Sequence, residues 1–249
     1  MHHAVLLAAP GLLAGAMNAV AGGGSFVSFP AMVAAGLPPV IANASSTVAV
    51  FPGTVASTFA YRHDFAHVTG LNLRLMVPLS MAGGMVGAGL LLATPARVFD
   101  VVIPFLLLLA TVTFALGDRA GLLLRRVVHV GPGGLLPMQF LIAIYGGYFG
   151  GAVGLMMLAA WSLLTASANL KAMAPARVLL ISATNGAAVL WFIIMGAVRW
   201  PEALVMLGAS VVGGYFGAHV GRRMPAAVVR GFVVVLSATV TVAFFVRAL

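Results

Sequence analysis

Residues 20–30 read VAGGGSFVSFP. They lie in a run from Ala4 to Gly36 without one charged residue. Each glycine weakens a helix by about 1 kcal/mol relative to alanine. Gly22-Gly23-Gly24, with Ser25, Ser28 and Pro30 just after, therefore predict a break where an apolar helix should be strongest. A broken helix in hydrocarbon leaves N–H and C=O groups unpaired, at several kcal/mol each. Such a break persists only where protein, water or a ligand supplies partners.

The rest of the chain is of the same kind. Its 249 residues are 62% hydrophobic and 7% charged, with a mean hydropathy of +1.14. Soluble domains carry about 25% charged residues, so too few remain here to cover a soluble surface. Apolar stretches of about 20 residues are membrane spans. The short alternating strands of an outer-membrane barrel are absent. The expected class is an all-α polytopic protein of the cytoplasmic (inner) membrane. With no cysteine, disulfides, thiolate metal sites and redox thiols are excluded. The formal charge of +9 resides mostly in short connections, where Lys and Arg set orientation; nucleic acid is not an expected partner. MHHAVLLAAPGLLAGAMNAV lacks a basic leader and reads as part of the first span, not as a cleaved signal.

Charges and turn formers cut the chain into Ala4–Gly36, Val40–Tyr61, Leu71–Ala93, Val98–Leu116, Leu135–Ala166, Pro175–Ala197, Pro201–Gly221 and Ala226–Val246. The first and fifth are overlong, with a broken or re-entrant helix opening each half, for about eight transmembrane segments. Residues 118–133, DRAGLLLRRVVHVGPG, are the polar connection between 1–117 and 134–249. A gapless shift of 130 residues puts Gly24 on Gly154, Gly83-Gly84 on Gly213-Gly214, Gly87-Ala88 on Gly217-Ala218 and Pro95-Ala96 on Pro225-Ala226. This register predicts an internal duplication. The second half repeats the interruption at YGGYFGGAVGLMM, Tyr145 to Met157. Paired interrupted segments point to a transporter's binding site. The half-helix after each break opens with N–H donors and partial positive charge, which suits an anion. Gly83, Gly84, Gly87, Gly213, Gly214 and Gly217 read instead as close helix packing, and Gly150 and Gly151 fit either role.

The segment AVAGGGSFVSFPAMVAAGLPPVIANASSTVAV, together with YGGYFGGAVGLMMLAAWSLL, APARVLLISATNGAAVLWFIIMGAVRW and GGYFGAHVGRRMP, resembles the TauE/SafE sulfite-exporter family over the whole chain. The resemblance implies movement of small sulfur-containing or organic anions across the cytoplasmic membrane. Where that family often has Asn-Ala-Leu-Lys, this chain has Ala174-Pro175-Ala176-Arg177; the cation is kept and the asparagine is not.

Arg177 is the leading candidate for anion contact. It follows Pro175, a favoured first-turn residue, and a positive charge there opposes the helix dipole. The competing role is snorkelling to the interface. The 130-residue register puts Arg177 on Thr47, so Ser45, Ser46, Thr47 and Arg177 are expected around one shared cavity. The hydroxyls can donate to an oxyanion or bond backbone carbonyls. Asn18, Asn43 and Asn185 are amides in apolar surroundings that must find partners. The expected substrate-binding set is Gly22, Gly23, Gly24, Ser25, Asn43, Ser45, Ser46, Thr47, Arg177 and Asn185. Trp191, Trp200, Tyr61 and Tyr148 read as interfacial anchors. Asp100, Glu202 and His219 are the titrating groups nearest the spans. No cofactor or metal is implied.

If the broken segments cross and return, the halves are inverted, and ten basic residues share one side: Arg62, Arg74, Arg119, Arg125, Arg126, Lys171, Arg177, Arg222, Arg223 and Arg230. Arg97, Arg199 and Arg247 remain opposite. That split follows the positive-inside tendency and favours inversion, with both termini outside. The function expected is secondary transport of a small anion between two repeats, with a passive anion channel or a non-transporting membrane scaffold as alternatives. An enzyme is not expected, since H-E-x-x-H, paired intramembrane acids and Gly-x-Ser-x-Gly are all missing. The expected partners are the anionic substrate and the lipid bilayer, with a homodimer left open.

Overall fold

The computed structural model describes residues 6–21, 23–60, 71–116, 134–164, 173–221 and 226–248. The polar connection 118–133, Gly22 and Lys171 lie outside them. The described residues form ten helices and no strands: α1 Ala8–Ala21, α2 Ser25–Ala34, α3 Pro39–Ala60, α4 Leu73–Ala93, α5 Ala96–Leu116, α6 Leu135–Tyr148, α7 Val153–Leu164, α8 Ala174–Ile194, α9 Trp200–Gly221 and α10 Ala226–Ala248. Four of them, over Pro39–Phe59, Leu73–Ala93, Ala96–Leu116 and Ala174–Ile194, are long and apolar enough to cross a membrane. At 1.5 Å per residue, 21 residues reach about 31 Å, the thickness of a hydrocarbon core. α9 and α10 match that length with 22 and 23 residues.

The glycine runs interrupt helices as expected. α1 ends at Ala21 and α2 begins at Ser25. The chain also turns back there: a Cβ on Gly24 would stand 2.7 Å from the carbonyl oxygen of Ala14 and 3.0 Å from Cβ of Asn18. In a continuous helix Ala14 would be about 15 Å away. The second broken segment reverses likewise. Trp161 Nε1, late in α7, donates to Gln139 Oε1, early in α6, at 3.3 Å, and a Cβ on Gly146 would touch Val153. Both interrupted segments are helical hairpins. With 10 to 14 residues in each arm, no arm exceeds about 21 Å over its described residues, less than the thickness of the core.

Two antiparallel helix pairs run through the molecule. In the first, Thr58 of α3 donates to the carbonyl of Val178 of α8 (3.3 Å), and Ser182 of α8 donates to Thr54 of α3 (3.5 Å). In the second, Thr111 of α5 and Thr241 of α10 share a 3.0 Å hydroxyl bond, and the rings of Phe105 and Phe245 meet at 5.4 Å. The hairpins are held by full-length helices at close range. Gly83 and Gly87 of α4 lie against α6, and Gly213 and Gly217 of α9 lie against α1. A Cβ on Gly87 would overlap the carbonyl oxygen of Ile144, and one on Gly217 would overlap Ala16. These glycines serve packing, where the absent side chain lets backbones approach.

The helix directions sort the described cations. Arg74 and Arg177 open α4 and α8 at one end, and Arg97, Arg199 and Arg247 stand at the other. Tyr148 joins the N-terminal end of α3 to the C-terminal end of α4. Its carbonyl accepts from Asn43 Nδ2 at 2.8 Å, its hydroxyl bonds Thr94 at 3.2 Å, and its ring lies 5.7 Å from that of Phe99. Tyr148 is half-buried, with its carbonyl and its hydroxyl both bonded within the protein.

Candidate functional site

The hairpins meet at their tips. Gly147, next to the last residue of α6, lies against Gly84 in the middle of α4, and Gly84 lies against Thr184 in the middle of α8. α6 therefore ends inside the layer. Gly150, in the turn that follows, has φ +82, a conformation glycine adopts without strain. A Cβ on Gly150 would stand 4.0 Å from Ser25 Oγ, at the tip of the other hairpin. Phe149 faces Phe29 of α2, with ring centroids 6.1 Å apart. Two segments more than a hundred residues apart in the chain thus abut where each is broken.

At this junction α2 and α7 begin. Phe26 donates to the Gly23 carbonyl at 3.1 Å, and Val27 and Ser28 donate to Gly24 at 3.0 Å. The first amides of α2 are thus bonded to carbonyls of the break itself, and the dipole's positive end lies at the tip. Arg177 stands in the first turn of α8 and packs on the first turn of α7: a Cβ on Gly154 would stand 3.3 Å from Arg177 Cδ and 3.6 Å from its Cγ. The stem of Arg177 thus lies in contact with the opening of α7. Asn185 is nearly buried at mid-depth. Its neighbour Gly186 lies against the ring of Phe51, one turn from the Thr54–Ser182 contact. Asn18 brings its amide within 3.6 Å of a Cβ position on Gly53.

The remaining expected residues sit elsewhere. α3 and α8 are antiparallel, so Arg177 aligns with the Thr58 end of α3. Thr47 is eleven residues, or about 16 Å, from that level. The shared cavity expected for Ser45, Ser46, Thr47 and Arg177 is therefore not one place: residues matched by the 130-residue shift stand at opposite ends of an antiparallel pair. The hydroxyls are also engaged. Ser46 and Thr47 donate to the Asn43 carbonyl at 3.0 and 2.9 Å, and Ser45 Oγ accepts from the Arg199 backbone N–H at 3.0 Å. Asn43 Nδ2 is taken by Tyr148, which leaves its Oδ1 buried without a partner. Glu202 lies 3.8 Å from Arg199 Nε; the side chain of His219 lies outside the described set.

Sequence reasoning named Ser28 and Tyr145 only as neighbours of the breaks and left them out of the expected site; their hydroxyl oxygens are buried without hydrogen bonds. The signal was present: each lies within a turn of a glycine break. It passed over Gln139, which joins Ser80 (3.0 Å) to Trp161 and clamps the second hairpin to α4. Among the described residues no cluster of three or more His, Cys, Asp or Glu side chains could hold a metal ion. A groove lined by Leu75, Leu79, Leu136, Pro137 and Phe140 is apolar and lies at the open end of the second hairpin, remote from the tips.

The family model described as Sulfite exporter TauE/SafE matches residues 7–244. A probable membrane transporter protein, ORF9, of Sinorhizobium sp is 30% identical over 251 residues, covering 100% of this chain and 93% of that protein. The probable membrane transporter protein YfcA of Escherichia coli strain K12 is 29% identical over 235 residues, covering 92% and 85%. A probable membrane transporter protein of Haemophilus influenzae is 28% identical over 243 residues, covering 93% and 90%. No solved structure matches the chain. A match over nearly the whole length, on a bundle of apolar helices with two interrupted hairpins, makes this membrane protein a member of the sulfite exporter TauE/SafE family of membrane transporters.

Proposed function

We propose that the chain is a secondary transporter that moves a small anion, sulfur-containing or organic, across the cytoplasmic membrane through a site between two inverted repeats, 1–117 and 134–249. The observation that carries this reading is the abutment of the two hairpin tips at Ser25 and Gly150. A discontinuity in hydrocarbon is costly, and two of them turned towards each other are what a substrate site needs. The openings of α2 and α7 favour negative charge, and Arg177 adds a full positive charge beside one of them.

The repeat is supported by Thr111 and Thr241. Their hydroxyls touch, and they are 130 residues apart, the same shift that superposes the glycine pairs. A residue that meets its own counterpart lies on the axis relating two copies. Because α5 and α10 are antiparallel, as are α3 and α8, that axis runs across the helices and in the plane of the bilayer. The hairpins then enter the layer and return without crossing, Arg74 and Arg177 lie on the cytoplasmic side, and α1 begins and α10 ends on the outer side.

Purified protein in liposomes should take up labelled sulfite, thiosulfate, a sulfonate or a small carboxylate. Uptake should saturate with concentration, and internal unlabelled anion should accelerate it by exchange. Flux linear in concentration without exchange would mean a channel. No flux of any of these anions under an imposed gradient would remove the anion reading altogether.

A further inference from the structure

The C-terminal end of α6 carries the opposite polarity from the helix openings beside it. We infer that this end, with Asn43, Ser25 and Ser28, binds a small monovalent cation of the sodium class. The last four carbonyls of a helix have no partner within it and carry the negative end of the dipole. Here the Tyr145 carbonyl accepts from Phe149 and Gly150, and the Tyr148 carbonyl accepts from Asn43. The Gly146 carbonyl oxygen stands 3.4 Å from the Cβ position of Gly150, and Ser25 Oγ stands 4.0 Å from the same point. Two oxygens from different hairpins thus flank Gly150 beside the end of α6.

Asn43 supplies the independent observation. It is 1% exposed. Its Nδ2 is fixed on the Tyr148 carbonyl, which assigns the amide orientation, since the reversed amide would set oxygen against oxygen. Oδ1 is left as a buried acceptor without a partner. A lone acceptor repels an anion and suits a cation, so Asn43 leaves the anion-binding set expected from sequence. Ser28, one turn after Ser25 and on the same side of α2, is fully buried, and its hydroxyl is likewise unpartnered. Leaving such groups unsatisfied costs about 1–3 kcal/mol each, which a bound ion would recover.

The ligand chemistry selects the ion. All the oxygens are neutral, from an amide, hydroxyls and a backbone carbonyl. Calcium and magnesium sites recruit carboxylates, and among the described residues no cluster of acids forms one. A neutral oxygen cage fits a single charge, and unwound carbonyls at half-helix ends coordinate sodium in transporters of broken-helix design. A cation here, beside helix openings suited to an anion, would also lower the net charge carried into hydrocarbon.

The test is thermal unfolding of the detergent-purified full chain in sodium, potassium or choline chloride at equal ionic strength, with no candidate substrate added. Sodium should raise Tm with a saturable dose dependence, as a ligand specific to the folded state does; potassium and choline should not. Ser28→Ala should weaken the half-saturating sodium concentration by about tenfold or more. Its Tm in choline should stay equal or rise, because a buried unpaired hydroxyl has been removed. Asn43→Ala should abolish the sodium response and lower Tm in every salt. Equal Tm in all three salts, a rise with potassium alone, or a sodium response intact in Ser28→Ala would each overturn the inference. None of these outcomes depends on the anion reading.

Discussion

Replacing Arg177 with alanine is expected to abolish anion transport while leaving the folded protein in the membrane. The residue is partly exposed in the first turn of α8, where positive charge opposes the helix dipole by about 0.3–1 kcal/mol. Its removal takes away a charge that the dipole disfavours, together with the stem's packing on Gly154. Transport is another matter. An anion moved into low dielectric recovers its desolvation only through charge pairing and directed hydrogen bonds. A charged hydrogen bond contributes up to about 3 kcal/mol, or about 100-fold in rate or affinity. Arg177→Lys should retain part of the flux, since charge survives and the bidentate fork does not. Liposome uptake, read beside the size-exclusion profile and Tm of each variant, separates the roles. An alanine variant that transports at the wild-type rate would show that Arg177 faces headgroups or bulk water instead.

The second large effect falls on folding. Gly87→Val should yield no monodisperse protein after detergent extraction. The added Cβ would occupy the space of the Ile144 carbonyl oxygen, with the Tyr148 backbone nitrogen 2.7 Å away. Backbone on both sides leaves nothing flexible to give way. Overpacking costs about 1–3 kcal/mol even where side chains yield; here the second hairpin must leave α4. Gly231→Ala is the matched control. It lies within α10 with nothing within 4 Å of the new methyl group, so it should stabilise by up to about 1 kcal/mol through helix propensity. Equal yields of the two variants would mean that α4 and α6 do not approach as closely as described.

Much of this molecule is written in local composition. The apolar helices between Ala4 and Gly36, the start of α8 at Ala174-Pro175 and the interruption at Gly23-Gly24 follow from hydropathy and from glycine and proline propensities. Those depend only on neighbours in the chain. The packing role of Gly83, Gly87, Gly213 and Gly217 was also legible, because small residues at four-residue spacing have few other uses in apolar helices. Propensity could mark that a helix stops; it could not say whether the chain then continues across or turns back. That choice rests on contacts such as Gly24 with Ala14 and Trp161 with Gln139.

The same limit governed the candidate site. A linear register sets Arg177 on Thr47, yet the antiparallel crossing of α3 and α8 sends the two to opposite ends. For Ser46 and Thr47 the sequence left open donation to an oxyanion or to a backbone carbonyl; geometry gave the Asn43 carbonyl. Asn43 was recognised as a buried amide in need of a partner; the Tyr148 carbonyl, 105 residues away, decided which of its atoms remained open. Sequence by itself determined the membrane class, the apolar helices and the two breaks, because burial and backbone propensity act residue by residue. Tertiary structure alone decided the direction of each half-helix and the charge each end presents, because these depend on which distant segment comes to lie against it.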